Sequence, residues 1–223
     1  MFIGHFAPAL LARGITEDAP KLGVLFIAAQ LVDWAFFTFA IFGIEQLRIV
    51  PGITAMNPYD LVFMPYSHSL LATAGWALVF GVVVGVVLRN IVAAAWGAIV
   101  VLSHWLLDLL VHRPDLTIAG GEDKYGLGLW NTPHIEMPLE IGLVLLAYWF
   151  YISRTKGPVI PPLILLAAML LFQAINWFGP QPETAGVGMY LSVFLSYGIL
   201  TAMAFWVQST RWHKNQRGLA VAG

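Results

Sequence analysis

The chain is 223 residues long, 59% hydrophobic and 10% charged, with a mean hydropathy of +0.79; soluble domains carry charge at about a quarter of their positions, so that class is excluded. A formal charge of −1 provides no basic field to hold nucleic acid, so no nucleic-acid partner is expected. The lack of cysteine removes disulfides, thiolate nucleophiles and cysteine metal sites, and leaves His, Asp and Glu as the strong ligand types.

In chain order, the apolar stretch 2–11 comes first. It is followed, not preceded, by the first positive charge, Arg13, so it does not read as a signal peptide and is expected to stay in the mature protein. It is too short to cross a bilayer, and because bare backbone cannot face lipid it is expected as a half-helix tucked into a bundle. Apolar runs then occur at 22–44, 67–88, 91–111, 136–153, 159–178 and 187–208, each long enough to span as a helix. The expected fold is an all-α integral membrane protein of about six transmembrane helices plus the short N-terminal half-helix, forming a single polytopic domain over 1–223. No internal repeat is apparent, so an inverted-repeat transporter gains no support.

Alternation of sides places Arg13, Lys21, Arg89, Arg154, Lys156, Arg211, Lys214 and Arg217 on one face and only Arg48, Arg113 and Lys124 on the other. The richer face is expected to be cytoplasmic, with both termini inside and residues 209–223 forming a basic cytoplasmic tail. The loops 45–66, 112–135 and 179–186 then face outward. Of the acids, only Glu17 and Asp18 fall on the inner side. The outer loops are long and carry Pro51-Gly52, Gly120-Gly121 and Gly126-Leu127-Gly128, which points to chemistry on that face.

Ionisable side chains inside spans are costly, and each is a functional hypothesis by default. The third span contains His104, Asp108 and His112 at i, i+4 spacing, which lie on one helix face. A His and a carboxylate one turn apart can converge on one metal ion, or can instead hydrogen-bond between helices. His112, at the end of the span beside Arg113-Pro114-Asp115, reads more simply as solvated or supporting. The second span opens with Ser67-His68-Ser69, where Ser67 is a natural helix start. Asp33 sits mid-span among Val32, Trp34 and Phe36, where a carboxylate needs a partner.

Counting at ~1.5 Å per residue from the inner-side charges puts Asp33 roughly 18 Å up, His104 roughly 22 Å, Asp108 roughly 28 Å, His68 roughly 31 Å and His5 roughly 12 Å. Four of the five therefore meet in the outer half of the bilayer, and His5 joins them if the half-helix stands high. Glu136 and Glu140 are one turn apart at the start of the fourth span; Glu140 reads as a ligand, a base or a helix N-terminal acid. Tyr59, Trp130 and Trp212 read as interfacial anchors. His213, in the basic tail, is given no specific role.

Gly4-His5, Leu31-Val32-Asp33, Ser67-His68-Ser69-Leu70 and Ser103-His104-Trp105-Leu106-Leu107-Asp108 together resemble, in order, the motifs of the LexA-binding, inner-membrane-associated family of metal-dependent hydrolases. The resemblance covers the motif-bearing part, about residues 1–150; the spans over 159–208 add no motif. It implies a metal site of His5, Asp33, His68, His104 and Asp108. The family pattern often carries a second Asp and a His just after the first Asp. Here those positions hold Ala35 and Phe36, which counts against a two-metal site. The family's LexA association is not carried over to this chain.

Together these readings lead to an expected membrane-embedded, metal-dependent hydrolase acting on an ester, phosphoester or amide. The metal is most simply zinc, with manganese or iron also suited to mixed nitrogen and oxygen ligands. Glu140 is the expected general base, and Arg113 the expected stabiliser of developing negative charge. The partners are membrane lipids and a lipid-like substrate, the location is the bacterial inner membrane, and the site lies toward the outer face. The loop 120–131 is a candidate cover. The alternative is a transporter that uses the same His and Asp residues as an ion or proton relay.

Overall fold

A computed structural model describes residues 1–214; residues 215–223, which include Arg217 and most of the expected tail, lie outside the described residues. A 3-10 turn, Ile3–Phe6, leads into α1 (Ala7–Ile15), followed by α2 (Leu22–Ile41), the strands β1 (Gln46–Ile49) and β2 (Tyr59–Phe63), α3 (Leu70–Leu88) and α4 (Ile91–Val111). Then come α5 (Pro133–Arg154), the short strand β3 (Thr155–Lys156), α6 (Ile160–Phe178), α7 (Val187–Ser209) and the short strand β4 (Trp212–His213). Six of the helices, α2 to α7, are long and apolar enough to cross a membrane. This is an all-α membrane protein.

The helix ends follow local chemistry. Ser69, not Ser67, caps α3, its Oγ accepting from the Ala72 amide at 3.1 Å. Asn90 Oδ1 caps α4, accepting from the amides of Val92 and Ala93 at 2.8 and 3.1 Å. α3 and α4 form a tight hairpin because Gly81 and Gly85, one turn apart, remove side chains from the contact. A Cβ on Gly85 would lie 2.9 Å from the Ala94 Cβ.

The N-terminal turn and α1 form the expected half-helix. Ile3, His5, Phe6, Ala9, Leu10 and Ala12 are buried in the main core together with residues of α2, α4, α5, α6 and α7. Gly14 permits the approach to α5, since a Cβ there would lie 2.8 Å from the Phe150 ring. Where the half-helix ends, Arg13 Nη1 donates to the carbonyls of Glu17 and Ala19 at 2.6 and 3.1 Å, so the chain turns without orphaned backbone oxygens.

One end of the bundle gathers short connections. β3 pairs with β4, and Arg211 donates to Thr155 Oγ1 and to the carbonyls of Thr155, Gly157 and Pro158 at 2.8–3.1 Å. His213 is buried there, 3.1 Å from the Gly14 carbonyl, which corrects its reading as a residue without a role: it ties the C-terminal strand to α1.

The other end carries the long connections. β1 and β2 form an antiparallel hairpin where only a loop is expected, with Leu47 paired to Leu61. Both leucines pack onto a second apolar cluster with Phe36, Trp105, Leu116 and Tyr190. The segment after α4 is pinned by mutual backbone bonds of Leu116 and Tyr125 at 3.1 and 2.8 Å, and by the Leu70 amide donating to the Thr117 carbonyl at 3.0 Å.

Candidate metal centre

At the end with the long connections, four elements bring the polar residues of the spans to one place. The 3-10 turn supplies His5, α2 supplies Asp33, the turn before α3 supplies His68, and α4 supplies His104 and Asp108. Two overlapping triads result, Asp33–His68–His104 and His5–His104–Asp108, each with its ligand atoms within 4.8 Å of one another. Asp33 Oδ1 lies 3.3 Å from His68 Nε2 and 3.6 Å from His104 Nε2. Asp108 Oδ2 lies 3.1 Å from His104 Nε2 and 3.6 Å from His68 Nε2, while Asp108 Oδ1 lies 3.0 Å from His5 Nε2. All but Asp33 are fully buried, and Asp33 retains 15% side-chain exposure.

The far side of three imidazoles is fixed by acceptors. His104 Nδ1 is 2.8 Å from the Ala29 carbonyl, which can only accept, so in the neutral ring Nδ1 carries the proton and Nε2 turns a lone pair to the cluster. His68 Nδ1 is 2.8 Å from Ser67 Oγ, whose hydroxyl donates to Glu45 Oε2 at 2.5 Å; the hydroxyl must therefore accept from His68, and His68 Nε2 is again left bare. His112 Nδ1 faces Asp115 Oδ1 at 2.9 Å. Metal-binding histidines are oriented in just this way.

Inside the cluster the close contacts are not hydrogen bonds. His104 Nε2 and Asp108 Oδ2 are 3.1 Å apart, yet neither has an aligned donor or acceptor, and both ring nitrogens of His5 share that state. The His5 ring stacks on His104 at 3.7 Å, nearly parallel, so its edge is aimed at Asp108. Buried nitrogen and oxygen atoms that converge without aligned hydrogen bonds between them fit a divalent cation, and the donor set suits zinc, manganese or iron.

Other carboxylates separate by task. Tyr197 of α7 donates its hydroxyl to Asp33 Oδ2 at 2.7 Å. The Met1 α-amine donates to Asp108 Oδ1 at 3.2 Å. Glu140 is not turned to the cluster as a base: its Oε1 accepts from the backbone amides of Phe2 and Gly4 at 2.7 and 2.9 Å, and Oε2 accepts from Gln173 Nε2 at 3.0 Å. It holds the N-terminal segment, and with it His5. Gly4 allows this approach, since a Cβ there would sit 3.2 Å from Glu140 Oε1. Glu136, one turn earlier, is fully buried with neither oxygen hydrogen-bonded.

Arg113 also departs from expectation. Its guanidinium pairs with Asp60 of β2, and its Nε lies 3.5 Å from Asp115 Oδ2, so it braces the hairpin and the residue that orients His112. It is not part of the cavity wall.

A cavity of about 380 Å³ meets the cluster at Asp33, His68, Asp108 and His112. Its walls include Glu136, Tyr59, Trp130, and from α6 and α7 the apolar side chains Phe172, Ile175, Met189 and Val193. Tyr59 and Trp130, expected as interfacial anchors, line this cavity, and the Trp130 ring lies 4.2 Å from that of His112. From the loop 120–131, Trp130 alone reaches the cavity wall. Glu45, Asp115, Gln173 and Tyr197 carried no motif; for Asp115 the signal was its i, i+3 spacing from His112. Compared with known protein families, with curated proteins and with solved structures, the chain finds no match.

Proposed function

We propose that the protein is a membrane-embedded, metal-dependent hydrolase of an amphiphilic ester, phosphoester or amide, in keeping with the resemblance of its four motifs. The observation that carries the reading is the convergence of His104 Nε2, His5 Nε2 and Asp108 Oδ2, buried and unaligned for hydrogen bonding, beside a cavity that the cluster meets through Asp33, His68 and Asp108. His68, His104, Asp33, Asp108 and His5 would hold the ion. A divalent cation there supplies Lewis acidity, which makes water a nucleophile near neutral pH and polarises a carbonyl or phosphoryl oxygen.

The chain's own residues do the rest. Glu136 replaces Glu140 as the proton-transfer group, because it lines the cavity and neither of its oxygens is taken up by a donor. Tyr197 fixes the Asp33 carboxylate, and Glu140 with Gln173 fixes the segment bearing His5. Phe172, Ile175, Met189 and Val193 offer an apolar wall for an acyl or isoprenoid chain, while Asn57, Asn176 and Gln181 offer amides for a polar head. The Lys and Arg asymmetry supports an orientation with both termini inside and the cavity toward the outer face; the inner-membrane location rests on the resemblance.

The test is turnover of a panel of short-chain phospholipids, nitrophenyl esters and phosphoesters by metal-loaded protein in detergent. His68→Ala should lose both metal and turnover, whereas Glu136→Gln should keep metal and lose turnover. Inactivity across the panel together with ion-driven flux in liposomes would replace the hydrolase by a transporter.

A further inference from the structure

We propose that the centre holds two divalent cations, and that His112, oriented by Asp115, is a ligand of the second. The proposal rests on the metal-centre reading above and changes its nuclearity. The absence of an Asp and a His at positions 35 and 36 counted against a second ion, but tertiary structure brings a further histidine, His112, to Asp108 from the end of α4.

The geometry has two foci, one on each side of Asp108. The first is Asp33 Oδ1 with His68 Nε2 and His104 Nε2, at 3.3 and 3.6 Å. The second is Asp108 Oδ1 with His5 Nε2 at 3.0 Å and His112 Nε2 at 3.5 Å. Ligand atoms bound at about 2.0–2.2 Å around a tetrahedral ion stand roughly 3.3–3.6 Å apart, a spacing the first set already shows; in the second, Asp108 Oδ1 stands no farther than that from each histidine. Asp108 Oδ2 faces His104 Nε2 at 3.1 Å while Oδ1 faces His5 and His112, so one carboxylate links the two positions.

Two further observations favour a ligand role for His112. It is buried, lines the cavity, and has its Nδ1 tied to the Asp115 carboxylate as His68 and His104 have theirs tied to Ser67 and Ala29. The surroundings suit cations as well: Asp33, Asp108, Glu136 and Glu140 all border the cavity, and among the described residues no Lys or Arg does.

Protein in detergent is stripped with chelator, reloaded with Mn(II), desalted and measured by elemental analysis and by electron paramagnetic resonance. The wild type is expected to hold two Mn(II) per chain and to give an exchange-coupled signal. His112→Ala should hold one and give an uncoupled six-line signal, and Asp115→Ala should weaken the second ion 10–100-fold. If His112→Ala does not fold, His112→Gln, which keeps an amide for Asp115, is read in its place with the same expectation. A wild type with one Mn(II) and a six-line signal, or a folded His112 variant that keeps two coupled ions, overturns the proposal. A wild type that takes up no Mn(II), Zn(II) or Fe(II) overturns the metal centre itself, a distinguishable outcome.

Discussion

Replacing Glu45 by Gln should weaken metal binding without removing any ligand, because it reverses the hydrogen bonds that set the His68 tautomer. In the wild type, Glu45 Oε1 accepts from the amides of Tyr66 and Ser67 at 2.8 and 3.0 Å, and Oε2 accepts the Ser67 hydroxyl proton at 2.5 Å. The glutamine oxygen can keep the two backbone amides, but its NH₂ then faces Ser67 Oγ and donates to it. Ser67 must now donate to His68 Nδ1, the ring proton moves to Nε2, and the lone pair facing Asp33 and Asp108 is lost. Loss of an orienting partner of this kind costs 10–100-fold in metal affinity, about 1.4–2.7 kcal/mol. Competition with a chromogenic chelator measures the affinity, and histidine ¹⁵N shifts report the tautomer. Ser67→Ala, which deletes the bridge, should show a similar loss of affinity, and it should also lower the thermal midpoint because Glu45 Oε2 and His68 Nδ1 lose their buried partner. Unaltered affinity in both variants would refute the assignment of this chain of contacts.

His104→Ala and Asp108→Ala should each sharply lower bound metal by elemental analysis, while His213→Ala, at the opposite end of the bundle, should leave it unchanged. Glu140→Ala strands the buried amides of Phe2 and Gly4, and at roughly 1–3 kcal/mol for each unpaired group it should lower the thermal midpoint in detergent, measured with chelator present so that metal linkage does not contribute. Gly23→Ala drives a Cβ into the Phe205 ring and should cost about 1–3 kcal/mol by forcing α2 from α7, read by the same melt. Reporter fusions after Arg154 should read as cytoplasmic and those at Gly121 as external; the reverse pattern would invert the proposed orientation.

The sequence by itself determined the six spans, the buried half-helix and the five residues of the cluster. Each rests on a local cost that one segment reveals: a run of some twenty apolar residues needs lipid, and a His or Asp within such a run needs a partner. Residue rise along the helices was enough to place Asp33, His68, His104 and Asp108 at related heights. Tertiary structure decided what those heights cannot express, namely which way each side chain turns and what stands behind it. Glu136 and Glu140 are equivalent as a pair one turn apart, and only the approach of the Phe2–Gly4 backbone occupies one and leaves the other open. Ser67 reads as a cap, yet the chain turns so that Ser69 caps α3 and Ser67 is left between Glu45 and His68. Arg113 is drawn away by Asp60 on a hairpin that no periodicity announces. Tyr197 and Gln173 reach the site from helices that carry no motif, because a single polar side chain on an apolar helix acquires meaning only when packing turns that face inward.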